Sequence, residues 1–175
     1  MFEVGIIGLG YIGERHLKKF SELKQVNIAA IADKDSQKLR KYADMYPAAG
    51  HFVDYRLMCG TKRLDLVVIC LPNHLHTEAC ITALNAGHHV LCEKPISIEG
   101  SEIKELINTE LNTGKKIVEA FMVREHPQWH KAKSMIDEGL IGEINAIQGM
   151  FCYHNIDPRN IRNDQNKIDI IFRIP

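Results

Sequence analysis

No apolar run in this sequence approaches the roughly 18 residues that a membrane-crossing helix needs, which argues against a membrane protein. It also lacks a charge excess: Lys+Arg and Asp+Glu both number 22. A nucleic-acid partner calls for surplus Lys and Arg to neutralise phosphates, so none is expected. There is no Cys-x-x-Cys pair. The five cysteines, Cys59, Cys70, Cys80, Cys92 and Cys152, are odd in number and widely spaced, which argues against a disulfide framework or a zinc site. Cys70, Cys80 and Cys92 sit in apolar stretches and read as small core residues. Met1-Phe2-Glu3 leads into a strand with no basic leader before it. Together these absences point to a reducing, cytoplasmic compartment.

What is present is an ordinary globular composition, 45% hydrophobic and 25% charged in 175 residues, enough for one domain and part of another. Apolar runs at 2–7, 26–32, 51–53, 64–71, 88–92 and 116–121 read as buried strands. Helical spacing covers 10–23, 36–46, 77–86 and 97–112, with Ser97 as N-cap of the last. In the first of these helices the basic run from Glu14 to Lys19 reads as a solvated face, with Leu17 and Phe20 supplying the buried side. Strands and helices alternating at this pace predict an α/β fold, a Rossmann-type doubly wound parallel sheet spanning 1–122. After residue 121 the pattern changes. A helix at 127–138 precedes one long alternating strand at 142–153, the start of an incomplete α+β domain at 123–164.

The chemistry lies on the predicted carboxyl edge of the sheet, where such folds bind ligands. Gly8-Leu9-Gly10-Tyr11-Ile12-Gly13 follows an apolar strand and opens a helix. Gly8 suits the tight turn, Gly10 lets backbone approach a pyrophosphate, and Gly13 lets helix and strand pack closely. Tyr11 and Ile12 complete the turn as candidate contacts. Asp33 stands twenty positions beyond Gly13, where an acidic residue can accept hydrogen bonds from the adenosine ribose and favour NAD. Lys34 blurs that preference, since a cation there suits the 2′-phosphate of NADP. Asp33 also reads as a helix N-cap or turn residue.

Pro72-Asn73-His74-Leu75-His76 follows the fourth strand, and Asn73 is placed to meet cofactor ribose or phosphate. His74 and His76 lack a third ligand at metal spacing, and His126 and His130, four apart, are separated by Pro127 and Trp129, which read as packing residues, so no metal is expected. Glu93-Lys94-Pro95 ends the fifth strand. Proline restricts the backbone of Lys94 and aims its side chain. A partly desolvated lysine beside a nicotinamide can relay the hydroxyl proton of an alcohol undergoing hydride transfer. Three residues alone also fit a surface lysine beside a glutamate.

The wider stretch Ala86 to Ser97 resembles the Gfo/Idh/MocA oxidoreductases, which include glucose–fructose oxidoreductase and inositol dehydrogenases. So do Gly8-x-Gly10-x-x-Gly13, Pro72-Asn73-x-x-His76, Glu119 to Trp129, Ile141-Gly142-Glu143-Ile144 and Asp157-Pro158-x-Asn160-Ile161-Arg162. The resemblance implies an NAD(P)-dependent dehydrogenase acting on a sugar, polyol or related hydroxy compound, homo-oligomeric at full length. It implies cofactor contacts at Pro72, Asn73, His76, Glu93 and Lys94, with Lys94 touching nicotinamide and substrate, and Arg124 as a further substrate residue.

The family continues through a glycine-rich segment to an aspartate and, four residues on, a histidine that carries the proton. Here residues 165–175 diverge, no glycine follows Gly149, and Asp169 has no such histidine after it. The expectation is a truncated or frameshifted chain, either an enzyme lineage or a nucleotide-binding remnant without turnover. Its unpaired strand at 142–153 is expected to promote self-association.

Overall fold

The computed structural model describes residues 1–150 together with 152 and 154. Two units are distinguished, Met1–Ala120 and the residues from Phe121 onward. In the first, six strands form one sheet: β1 Phe2–Ile7, β2 Val26–Ala32, β3 Gly50–Phe52, β4 Leu66–Ile69, β5 His89–Glu93 and β6 Ile117–Ala120. Their order is β3-β2-β1-β4-β5-β6. Every neighbouring pair is parallel. Helices fill the crossovers: α1 Tyr11–Ser21, α2 Ser36–Ala43, α3 Tyr55–Thr61, α4 His76–Asn85 and α5 Gly100–Thr113.

β1 is central, and beyond Glu3 it carries no polar side chain because both its faces are covered there. Val4 and Ile6 face a core with Leu17 of α1 and Leu39 and Tyr42 of α2. Ile7 faces the opposite core with Met58 of α3, Cys80 and Leu84 of α4, and Leu106 of α5. The register between β1 and β2 skips one residue, Val4 pairing with Ile28 and Gly5 with Ala30. That bulge explains why Ile28 and Ile31, three apart, share a face.

Local readings need correction in places. Residues 55–61 form a helix that periodicity did not announce; its signal is Asp54, whose carboxylate accepts the Arg56 N–H at 2.9 Å. Ser97 is not the N-cap of α5, which starts three residues later behind Glu99. The Ser97 hydroxyl instead donates to Glu102 at 2.6 Å, and Glu102 also accepts the Glu99 N–H at 3.3 Å. In α1 Leu17 is buried and Phe20 half-buried, as the helical spacing predicts, while His16 of the 14–19 run is half-buried rather than solvated.

In the second unit a single 3-10 turn at Met122–Glu125 precedes helix α6, Pro127–Asp137. His126 caps α6 by accepting the Gln128 N–H on Nδ1 at 3.2 Å. Gly139, at φ +70°, follows the end of α6. The predicted strand at 142–153 is not found in its described part: 144–150 carry no regular structure. A strand exists only through its ladder, and the described residues of this segment form none, so alternation alone could not make one. Ile147 and Met150 are both 86% exposed. Phe151, Tyr153, the loop at 157–162 and the divergent tail lie outside the described residues.

Candidate cofactor site

Parallel strands bring the sequence candidates of the first unit, His76 apart, to one edge. The order β2-β1-β4-β5 sets the end of each strand in a row: Asp33, the glycine turn, Pro72 and Asn73, then Glu93 and Lys94. The row spans three strand spacings, about 14 Å. The chain reverses its winding between β1 and β4, the position where open α/β sheets leave a crevice.

The three glycines are required for different reasons. Gly8 has φ +90°, and a Cβ there would stand 2.5 Å from the Cys70 carbonyl oxygen. A Cβ on Gly13 would stand 1.8 Å from the Gly8 carbonyl oxygen. Gly10 has open space where a Cβ would project. It is the N-cap of α1 and makes no side-chain cap bond, so the first amides of that helix are left for an anion. A pyrophosphate fits this cradle: backbone is exposed at Gly10, while the flanking glycines let strand and helix close beneath it. Tyr11 is 73% exposed at the rim, and its ring lies under the Arg15 guanidinium at 5.7 Å. Ile12 is also exposed.

Asp33 braces the turn from the neighbouring strand. Its Oδ2 accepts the Leu9 N–H at 2.7 Å and its Oδ1 accepts the Asp35 N–H at 2.9 Å. The N-cap of α2 is Asp35, which accepts the amides of Gln37 and Lys38; Asp33 is a turn residue whose carboxylate stays at the edge. Lys38 Nζ lies 3.9 Å from Asp33 Oδ2, and Lys34 is exposed beside it.

At the β5 end Lys94 is exposed. The Glu93 carboxylate is engaged: Oε1 meets His16 Nε2 at 2.9 Å and Oε2 accepts the Lys94 N–H at 3.2 Å. Burial works against this carboxylate, but the His16 and Lys94 contacts outweigh it and hold its pKa below the ordinary value. His16 went unnoticed in the sequence. Its signal is position, one turn beyond Gly13 on the helix face that packs against the sheet.

His76 does not lie open on the edge. It is fully buried, with Nδ1 2.6 Å from the Pro95 carbonyl oxygen and Nε2 2.8 Å from that of Leu71. No ring nitrogen is left for a cofactor or metal, so the expected cofactor contact is replaced by a tie between two turns. The thiols beneath the edge are held protonated. Burial raises Cys70, and contact with Cys80 together with burial raises Cys92. Arg124 lies in the 3-10 turn of the second unit.

Residues 2–121 match the family model for oxidoreductases with an NAD-binding Rossmann fold, Gfo/Idh/MocA. The chain belongs to this family. It is 38% identical over 161 residues to an oxidoreductase of Rhizobium meliloti, covering 91% of this chain and 48% of that protein. It is 30% identical over 150 residues to inositol 2-dehydrogenase of Salmonella typhimurium, covering 84% and 45%. Scyllo-inositol dehydrogenase of Lactobacillus casei, solved with NAD(H) and scyllo-inositol, superposes with a TM-score of 0.75 at 27% identity, covering 82% of this chain and 43% of that one. The chain thus spans about half the length of the relatives it matches. The Gfo/Idh/MocA fold and the NAD-binding character of residues 2–121 agree with the motifs at Gly8–Gly13 and Glu93–Pro95.

Proposed function

We propose that this chain carries the cofactor half of a Gfo/Idh/MocA dehydrogenase acting on a polyol or sugar. The observation that carries the reading is the row of strand ends, with an open helix N-terminus at Gly10 between Asp33 on one side and Lys94 on the other. Asp33 would accept the adenosine ribose hydroxyls, and the first amides of α1 would meet the pyrophosphate. Pro72 and Asn73 would line the middle, and Glu93 and Lys94 the nicotinamide end. A bound nicotinamide supplies or accepts hydride. Lys94 would hold the substrate hydroxyl and take or return its proton. Arg124 is carried as a substrate contact of the complete protein.

NAD is the preferred cofactor because Asp33 presents a carboxylate where a 2′-phosphate would sit. Lys34 and Lys38 soften that preference and admit NADP. The inositol dehydrogenases among the relatives support a polyol as substrate class. The homo-oligomer of the full-length family belongs to the same reading. So does a cytoplasmic setting: no helix among the described residues is long and apolar enough to cross a membrane.

The second reading is a nucleotide-binding unit without turnover. NADH titration followed by absorbance assays on a polyol panel separates the two. Binding with turnover supports the dehydrogenase, and binding without turnover supports the second reading.

A further inference from the structure

His76 opens α4 with its ring wholly enclosed. Its two partners come from different turns, Leu71 after β4 and Pro95 after β5. Carbonyl oxygens only accept hydrogen bonds. Both ring nitrogens must therefore donate, and only the imidazolium carries two N–H groups. A neutral ring would press a lone pair against a carbonyl oxygen at 2.6 or 2.8 Å. Cys92 faces the ring from β5, and Cys80 of α4 contacts Cys92. The nearby carboxylates are engaged elsewhere: Glu102 of α5 accepts the Ser97 hydroxyl, and Glu119 of β6 accepts the Ile96 N–H.

We propose that His76 is the positioning residue of the cofactor edge: its doubly protonated ring ties the turn after β4 to the Lys94-Pro95 turn and so fixes where the Lys94 backbone lies. The functional weight of this tie rests on reading Lys94 as the lysine at the nicotinamide. Two consequences follow from the geometry. The turns that hold Asn73 and Lys94 move as one body, and a fixed positive charge lies beneath the edge that receives an anionic dinucleotide. Burial alone would lower the pKa of the ring. The Cys92 sulfur and the carbonyls of Pro95 and Leu71 outweigh burial and raise it to about 9.

The experiment is nuclear magnetic resonance on the nucleotide-free chain. At neutral pH the ring of His76, assigned by its loss in His76→Gln, is expected to show N–H signals on both nitrogens. As pH rises through about 9, the Leu71 and Pro95 carbonyl carbons and the Lys94 backbone signals are expected to shift with one shared midpoint. In His76→Gln that shared shift is lost. Should the variant fail to fold, the wild-type titration decides alone. A single ring N–H at neutral pH, or Lys94 signals that stay still while the ring titrates, would overturn the proposal. Because no nucleotide is present, that failure is distinct from a failure to bind NADH.

Discussion

His16 and Glu93 stand 77 residues apart in sequence and meet at 2.9 Å. One belongs to the helix that opens on the glycine turn and the other ends the strand that precedes Lys94. The pair therefore ties the helix behind the glycine turn to the Lys94 end of the row, and the Glu93 carboxylate reaches on to the Lys94 amide.

Removing that link is expected to cost modestly in stability and visibly in cofactor affinity. His16→Ala should destabilise the domain by about 1 kcal/mol, the scale of one partly buried hydrogen bond. His16→Asn, which keeps a donor, should recover part of the loss. The Glu93 pKa is lowered on folding, so its stabilising share is present above the ordinary value of 4.5 and lost as pH falls through the lower folded value. Urea unfolding of wild type and both variants at several acidic pH values checks this. Equal slopes of stability against pH in wild type and His16→Ala would count against the pairing.

The glycines offer a pair with opposite outcomes. Gly13→Ala places a methyl 1.8 Å from the Gly8 carbonyl oxygen, and should destabilise the fold by about 2 kcal/mol or more. Gly10→Ala enters open space at φ −75° and should leave stability within about 0.5 kcal/mol. Its effect should fall on nucleotide binding, where the new methyl faces the pyrophosphate. Thermal melts and NADH titrations of both variants test this; a large loss of melting temperature in Gly10→Ala would contradict the open cradle.

Asp33 and Lys38 set the cofactor preference in this account. Asp33→Asn should weaken NAD more than NADP, because it removes the charge that repels a 2′-phosphate and leaves the cations in place. Lys38→Ala should move the ratio the other way. Dissociation constants for the two nucleotides across wild type and both variants give the answer, and an unchanged ratio in Asp33→Asn would remove Asp33 from the specificity argument.

The raised pKa of His76 carries its own stability signature. Folding lifts the value from 6.5 to about 9. Its contribution is therefore complete below about 6.5 and disappears as pH climbs through about 9, at most about 3 kcal/mol. Denaturant midpoints across that window should fall in wild type and stay level, from a lower start, in His76→Gln.

The sheet was legible because buried parallel strands are continuous apolar runs and each glycine or proline that ends one is a strong local signal. The glycine turn was legible because its backbone geometry leaves little choice of residue, and the strand-end placement of Asp33 from its spacing to that turn; Lys94 stood out only through the resemblance of the stretch around it. Other features depend on contacts that no local pattern encodes. His16 looked like part of a charged helix face until the sheet supplied Glu93 opposite it. His76 looked like a site residue, and burial made it a tie. Helix α3 is short, seven residues with Gly60 inside, too brief for periodicity to register. The segment at 142–150 alternates as a strand would, but alternation makes no strand without a ladder, and its described residues form none.

The most direct test of the central claim, that this edge holds a nicotinamide dinucleotide between Asp33 and Lys94, is a fluorescence titration of NADH against the chain. The account predicts a saturable change in reduced-nicotinamide emission, with affinity at least about tenfold weaker in Asp33→Ala, a loss of roughly 1.4 kcal/mol. No saturable change with the folded wild-type chain, or equal affinity in wild type and Asp33→Ala, would contradict it.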